Sequence, residues 1–197
     1  MIKRYTENEK VYLALGDSMS IDNYTGVSGG GAASQLYRRL NDSWTLKDLT
    51  FDGCTMKQVS TSEVGGLITL TICGNDALLN IDYIITNGVD LLIDEHLKLL
   101  KAIRSKNPNS CLIIGNIYSP QLPLDKTLSL RLKELNEGIS QNTAVVNGLL
   151  ADIYSSFKGN EDEYLCQDIE PNLKGATTIA ESFYTQFNNW KNKQISR

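Results

Sequence analysis

Four short segments hold the residues whose types and spacing could do chemistry. They are Gly-Asp-Ser-Met-Ser at 16–20, Asp-Gly-Cys-Thr at 52–55, Gly-Asn-Asp at 74–76 and Gln-Asp-Ile-Glu-Pro-Asn at 167–172. Together they supply a hydroxyl, a glycine backbone N–H, a carboxamide and carboxylates. A hydroxyl with several donors aimed at one point is the outline of an acyl-transfer site, in which the donors hold the oxyanion that forms when oxygen adds to a carbonyl. Each segment alone has a plainer reading. Gly53 reads as a turn glycine, Asn75 as a turn or cap residue, and Asp17 as an acid that bonds nearby backbone groups. Ser20 reads as a polar turn residue.

The elements that must position these segments follow from the hydrophobic pattern. Short apolar runs at Val11–Leu15, Leu46–Phe51, Leu67–Cys73, Cys111–Ile117 and Leu149–Tyr154 predict five strands. Ala32–Leu40, Val89–Ile103 and Leu128–Val146 predict helices, with Asn107-Pro108 and Gly148 as stop signals. Asn172 is placed to cap a last helix whose stripe is Ala176, Ile179, Ala180, Phe183, Phe187 and Trp190. Strands alternating with helices imply βαβ units, right-handed crossovers and a mostly parallel sheet covered on both faces. The expectation is one α/β domain over 1–197, a three-layer α/β/α sandwich. In such sheets the site lies beyond the carboxyl ends of the strands, which is where the four segments fall.

Composition narrows the function classes. The chain has 197 residues, 41% hydrophobic and 21% charged, which is a globular composition. The formal net charge of −4 speaks against nucleic acid or an anionic membrane as a partner. No apolar stretch approaches the length of a membrane span. The four cysteines (Cys54, Cys73, Cys111, Cys166) are scattered, with no Cys-x-x-Cys pair, and the single histidine is remote from them in sequence. The expectations are reduced cysteines, a cytoplasmic protein, no metal and no cofactor. The Gly-rich run at 27–34 lacks the lysine of a phosphate loop and does not directly follow a strand, so it reads as a flexible loop leading into a helix. Tyr24 and Tyr118 flank strand-end loops, where pocket lining and ordinary packing are equally open.

The four blocks, in this order from about residue 11 to about 187, resemble the SGNH (GDSL-type) hydrolase superfamily. The resemblance implies that fold, flavodoxin-like in its sheet, and an acyl-serine mechanism. By position it makes Ser18 the nucleophile and the Ser18 N–H, the Gly53 N–H and the Asn75 side chain the oxyanion donors. Asp17, Gly74 and Gln167 are then expected at the substrate. The last block departs from the pattern, which is an Asp, two residues, then His-Pro. Glu170 stands where the histidine should, Gln167 stands where the supporting acid should, and Asp168 is one place off.

His96 sits inside a predicted helix, on or beside its apolar stripe, and reads as a partly buried structural histidine. A glutamate is a weak base at neutral pH unless burial or a second carboxylate raises its pKa. In an extended segment Asp168 would share a face with Glu170 and contribute that repulsion. The plainer alternative makes Glu170 a solvated acid at the start of the last helix.

The reading is thus an esterase-like serine hydrolase acting on a small-molecule ester, thioester or lysophospholipid. Ser18, Glu170 and Asp168 would be catalytic. The alternatives are a weak or inactive module that binds an acylated or carbohydrate ligand, and an acyltransferase. Oligomeric state is left open by these motifs.

Overall fold

The computed structural model describes residues 10–40 and 42–195. Five parallel strands form one sheet: β1 (Val11–Gly16), β2 (Thr45–Thr50), β3 (Leu67–Thr71), β4 (Cys111–Gly115) and β5 (Leu149–Ala151). Their spatial order is β2-β1-β3-β4-β5, and each neighbouring pair is parallel. The strands read as continuous apolar runs because both faces are covered. Side chains alternate between two cores. Leu13, Leu15, Ile68, Leu70, Leu112 and Ile114 face one core, while Tyr12, Ala14, Leu67, Cys111 and Ile113 face the other.

Among the described residues eight α-helices flank the sheet. They are α1 (Ala32–Arg39), α2 (Gly74–Leu79), α3 (Ile81–Asn87), α4 (Asp90–Lys106), α5 (Lys126–Val145), α6 (Ile153–Phe157), α7 (Glu161–Tyr164) and α8 (Leu173–Ile195). Helices α1 and α8 pack together on the Tyr12 side, contributing Leu36, Ile179, Ala180 and Phe183. Helices α4 and α5 pack on the Leu13 side, contributing Leu100, Ile103, Leu135 and Ile139. A two-stranded antiparallel hairpin, β6 (Leu165–Cys166) and β7 (Glu170–Pro171), precedes α8. Among the described residues no helix is long and apolar enough to cross a membrane.

Three strands, β3, β4 and β5, are shorter than their apolar runs. β3 stops at Thr71 because Cys73 takes a left-handed conformation (φ 84°) and opens α2. β5 stops at Ala151 because the Asp152 side chain accepts from the Ser155 N–H at 3.1 Å and starts α6. Helices α2, α3, α6 and α7 and the hairpin were not expected from the sequence pattern.

The strand order reverses direction between β1 and β3. β1 connects outward to β2, while β3 starts the walk to the other edge. The carboxyl ends at such a switch point leave a crevice, and the residues after β1 and β3 line it.

Candidate active site

β1 runs straight into the Gly-Asp-Ser turn, and the glycine there is a steric necessity. Gly16 has φ 121°, and a Cβ on it would lie 1.8 Å from the Thr71 carbonyl oxygen. The next residue is tied to the same group, Asp17 N–H donating to Thr71 O at 2.9 Å. Ser20 and Thr71 hydroxyls are 3.1 Å apart. The turn that carries Ser18 is therefore fixed to the end of β3.

The Gly-Asn-Asp block after β3 holds the loop that carries Gly53. Asn75 Nδ2 donates to Cys54 O at 3.0 Å. The Asp76 carboxylate accepts from Met56 N–H at 3.1 and 3.2 Å. Gly53 sits in this loop at φ 72°, exposed, a conformation that favours glycine. Among the described residues neither the Ser18 nor the Gly53 N–H donates to another backbone group. Asn75 carries two amide hydrogens and uses one of them on Cys54.

The Gly-rich run is a built turn rather than a loose one. The Asp22 carboxylate accepts from Gly29 N–H at 2.6 Å and Gly31 N–H at 2.8 Å. Burial pushes the Asp22 carboxyl up, but these N–H bonds and the Arg38 charge hold it below its ordinary value. One acid thus satisfies two of the loop's backbone donors.

The hairpin delivers Glu170. Gln167 and Asp168 have φ 50° and 67°, so two successive left-handed residues reverse the chain between β6 and β7. The tip is pinned from outside: Gln121 N–H donates to Asp168 O at 2.8 Å, and Asp168 N–H donates to Gln121 Oε1 at 3.2 Å. Tyr118 Oη donates to Ile169 O at 2.6 Å. On the other side Asn172 caps α8, its Oδ1 accepting from Lys174 N–H at 2.9 Å and Gly175 N–H at 3.2 Å. The premise of an extended 168–170 segment is therefore corrected. The left-handed pair breaks the alternation, leaving Gln167 and Asp168 exposed while Glu170 is buried at 7% exposure.

The carboxyl of Glu170 meets Ser18. Burial pushes its pKa above the ordinary value, the Ser18 side chain beside it pulls it back, and the Asp52 charge adds to the rise. Glu170 Oε2 is buried and has no hydrogen-bond partner among the described residues. The second acid that senses Glu170 from inside the site is Asp17, not Asp168. Asp17 is 2% exposed and its Oδ1 accepts from Met19 N–H at 3.2 Å. Burial is the main cause that pushes it up to about 7. The Met19 and Thr71 bonds oppose the rise and the Glu170 charge adds to it. At the rim Tyr24 Oη donates to Asp52 Oδ2 at 2.6 Å, a bond that raises the tyrosine to about 12.

The structure thus brings Ser18, Glu170 and Asp17 together, with Asn75 and Gly74 lining the same cleft as Ser18 and Asp17. It leaves Gln167 and Asp168 on the exposed hairpin tip. His96 is fully buried in α4, where Asn142 Nδ2 lies 3.3 Å from its Nδ1, and burial lowers it to about 4. Sequence reasoning missed the roles of Asp52 and Asp17 around Glu170. It also left residues 77–87 unassigned, although Ala77, Ile81 and Ile84 have helical spacing.

No family model and no curated protein matches the sequence. Solved structures do match the fold. The lipase Lip_vut3 from a goat rumen metagenome is 21% identical with a TM-score of 0.76, covering 89% of this chain and 96% of that one. A lipolytic G-D-S-L family protein from Veillonella parvula is 18% identical with a TM-score of 0.70, covering 87% and 94%. The acetylxylan esterase Axe2 from Geobacillus stearothermophilus is 13% identical with a TM-score of 0.66, covering 90% and 93%. By architecture, this chain has the α/β/α fold of the SGNH, or GDSL-type, hydrolases.

Proposed function

We propose that this protein is an esterase-like serine hydrolase of the SGNH superfamily in which a buried glutamate takes the place of the usual histidine base. The observation that carries this reading is the Glu170 carboxyl, buried, raised in pKa and set beside the Ser18 side chain.

In this mechanism ionised Glu170 accepts the Ser18 proton as Oγ adds to the ester carbonyl. The Ser18 N–H, the Gly53 N–H and the second Asn75 amide hydrogen receive the oxyanion. Collapse breaks the acyl–oxygen bond. Glu170 returns the proton to the departing alcohol and an acyl-serine remains. Water repeats the sequence: Glu170 takes its proton, the tetrahedral adduct collapses and Ser18 regains its hydrogen. Asp17 keeps the local charge low by holding a proton up to about pH 7.

The chain is taken as a single catalytic domain of the reducing cytoplasm. One continuous sheet and four free cysteines, three of them buried, support that reading. Hydrolysis of a short activated ester across pH 5–9, with Ser18→Ala beside the wild type, tests the proposal. A Ser18-dependent rate that climbs with pH above the ordinary glutamate range is expected. Equal background rates, together with no labelling of Ser18 by a fluorophosphonate, would favour a binding module instead.

A further inference from the structure

The polar site opens into a cleft of different character. From Ser18 and Asn75 the cleft runs between α2–α3 on one side and the 117–124 loop with α5 on the other. Its walls include Leu78, Ile81, Ile84, Leu124, Leu128 and Leu132. The charged side chains on its lining are Asp17 and Arg131, and Arg131 Nη1 is paired with Glu134 at 2.8 Å. The cleft encloses about 150 Å³. An enclosed apolar cavity of that size accepts a six-carbon ring. The polar groups on the lining stand at the Ser18 end and at Arg131, whose Nε is buried without a partner among the described residues. Most hydroxyls of a sugar placed along the aliphatic walls would therefore lose their water unpaired, whereas a methylene chain would only lose apolar surface to water.

The rim agrees with the interior. Leu78 and Ile81, which line the cleft from α2–α3, are 50% and 37% exposed. Large aliphatic groups left in water on that lip extend the apolar surface outward.

We propose that this cleft is an acyl-chain subsite, seating about six to eight carbons of a linear acyl group and selecting medium-chain over acetyl esters or thioesters. The inference rests on Ser18 being the nucleophile, because the acyl carbonyl must lie at Ser18 for its chain to enter. The polar, solvent-facing side near Tyr24 and Asp52 is left for the leaving alcohol or thiol.

Kinetics with p-nitrophenyl acetate, butyrate, hexanoate, octanoate and dodecanoate test this. kcat/KM should rise about three- to fourfold for each methylene that enters the cleft and level off near octanoate. Leu128→Trp should cut the octanoate-to-acetate ratio at least tenfold. Ser18-dependent turnover that is highest with acetate, or flat with length, would overturn the subsite and leave the hydrolase standing. Should no ester turn over, the proposed activity itself fails, and calorimetric titration of 1-octanol into Ser18→Ala protein decides the subsite alone. Saturable binding that Leu128→Trp removes supports it, and the absence of saturable binding overturns it.

Discussion

Two buried regions of this molecule hold titratable groups shifted toward their neutral forms, and only one of them is built like a site. At the β1/β3 switch, Asp17 and Glu170 are 2% and 7% exposed. In the α4–α5 interface, His96 is fully buried. Desolvation is the leading cause at all three. The surroundings differ. Glu170 has the Ser18 side chain beside its carboxyl, and Asp17 lines an open cleft. His96 has Asn142 on one nitrogen, and its Nε2 is buried without a partner. A perturbed pKa therefore marks burial first. It marks a function only where a reactive neighbour and an access path accompany it.

The strongest way to break this contrast is to remove the pair that defines it. Ser18→Ala should abolish Ser18-dependent ester hydrolysis, and Glu170→Gln should lower kcat by about 10²–10⁴-fold with the fold retained. The glutamine keeps the shape and cannot take the proton. The wild-type rate should rise with pH, because only ionised Glu170 is a base and its pKa lies above the ordinary value of 4.5. Glu170→Gln should lose that limb of the profile. A variant that kept both the rate and the limb would remove Glu170 from the mechanism.

Asn75→Ala comes next. Loss of one oxyanion donor should lower kcat by about 10²–10³-fold with little change in KM. It also removes the Asn75–Cys54 bond of 3.0 Å that anchors the Gly53 loop, so thermal melting must accompany the kinetics. A fall in melting temperature with an unchanged kcat would make Asn75 a structural clasp only.

The two regions should also give opposite pH dependences of stability. Asp17 loses its proton near 3.8 when unfolded and near 7 in the fold. The folded protein holds the extra proton between those values, so this group's contribution falls as pH rises through the window. His96 binds its proton near 6.5 when unfolded and near 4 in the fold. Here the unfolded chain holds the extra proton, so stability falls as pH drops from 6.5 toward 4, by roughly 3 kcal/mol. Denaturant melts of Asp17→Asn should lack the fall in stability that this group causes as pH rises between about 4 and 7, and those of His96→Leu should lack the fall as pH drops from 6.5 toward 4. His96→Leu should leave ester hydrolysis unaltered. If it abolished hydrolysis without unfolding the protein, the contrast would collapse.

Much of this arrangement was legible in the residues. The five apolar runs gave the strands, because buried parallel strands need continuous hydrophobicity. The four strand-end blocks drew attention to Ser18, Gly53, Asn75 and Glu170, and the fold sets Ser18 and Asn75 on one cleft with Glu170 buried beside Ser18. What was not legible lies where backbone conformation departs from the local pattern. Nothing in Gln167-Asp168 announces two successive left-handed residues, although Asp tolerates that conformation better than most. Asp17 reads as a turn acid because its 2% exposure arises from β3 and the Glu170 hairpin, which are remote in sequence. The α2–α3 wall was missed because two short helices, of six and seven residues, carry too few turns for a clear period.

That last distinction yields the smallest expected effect. Asp168 was the acid that sequence spacing paired with Glu170, and the hairpin turns it away. Its backbone bonds Gln121 through both N–H and C=O, while its side chain is exposed. Those bonds survive any side-chain truncation, so Asp168→Ala should change kcat/KM by less than about twofold, as surface substitutions clear of special features generally do. Gln167→Ala should behave the same way. Asp168→Pro is a different perturbation, since proline supplies no N–H to Gln121 and cannot adopt φ 67°. It should loosen the hairpin and cost activity through Glu170. An Asp168→Ala loss as large as that of Glu170→Gln would mean that the tip carboxylate, rather than burial and the Asp52 charge, tunes the base. A silent Asp168→Ala beside a damaging Asp168→Pro would show that this position acts through the backbone that carries Glu170 to Ser18.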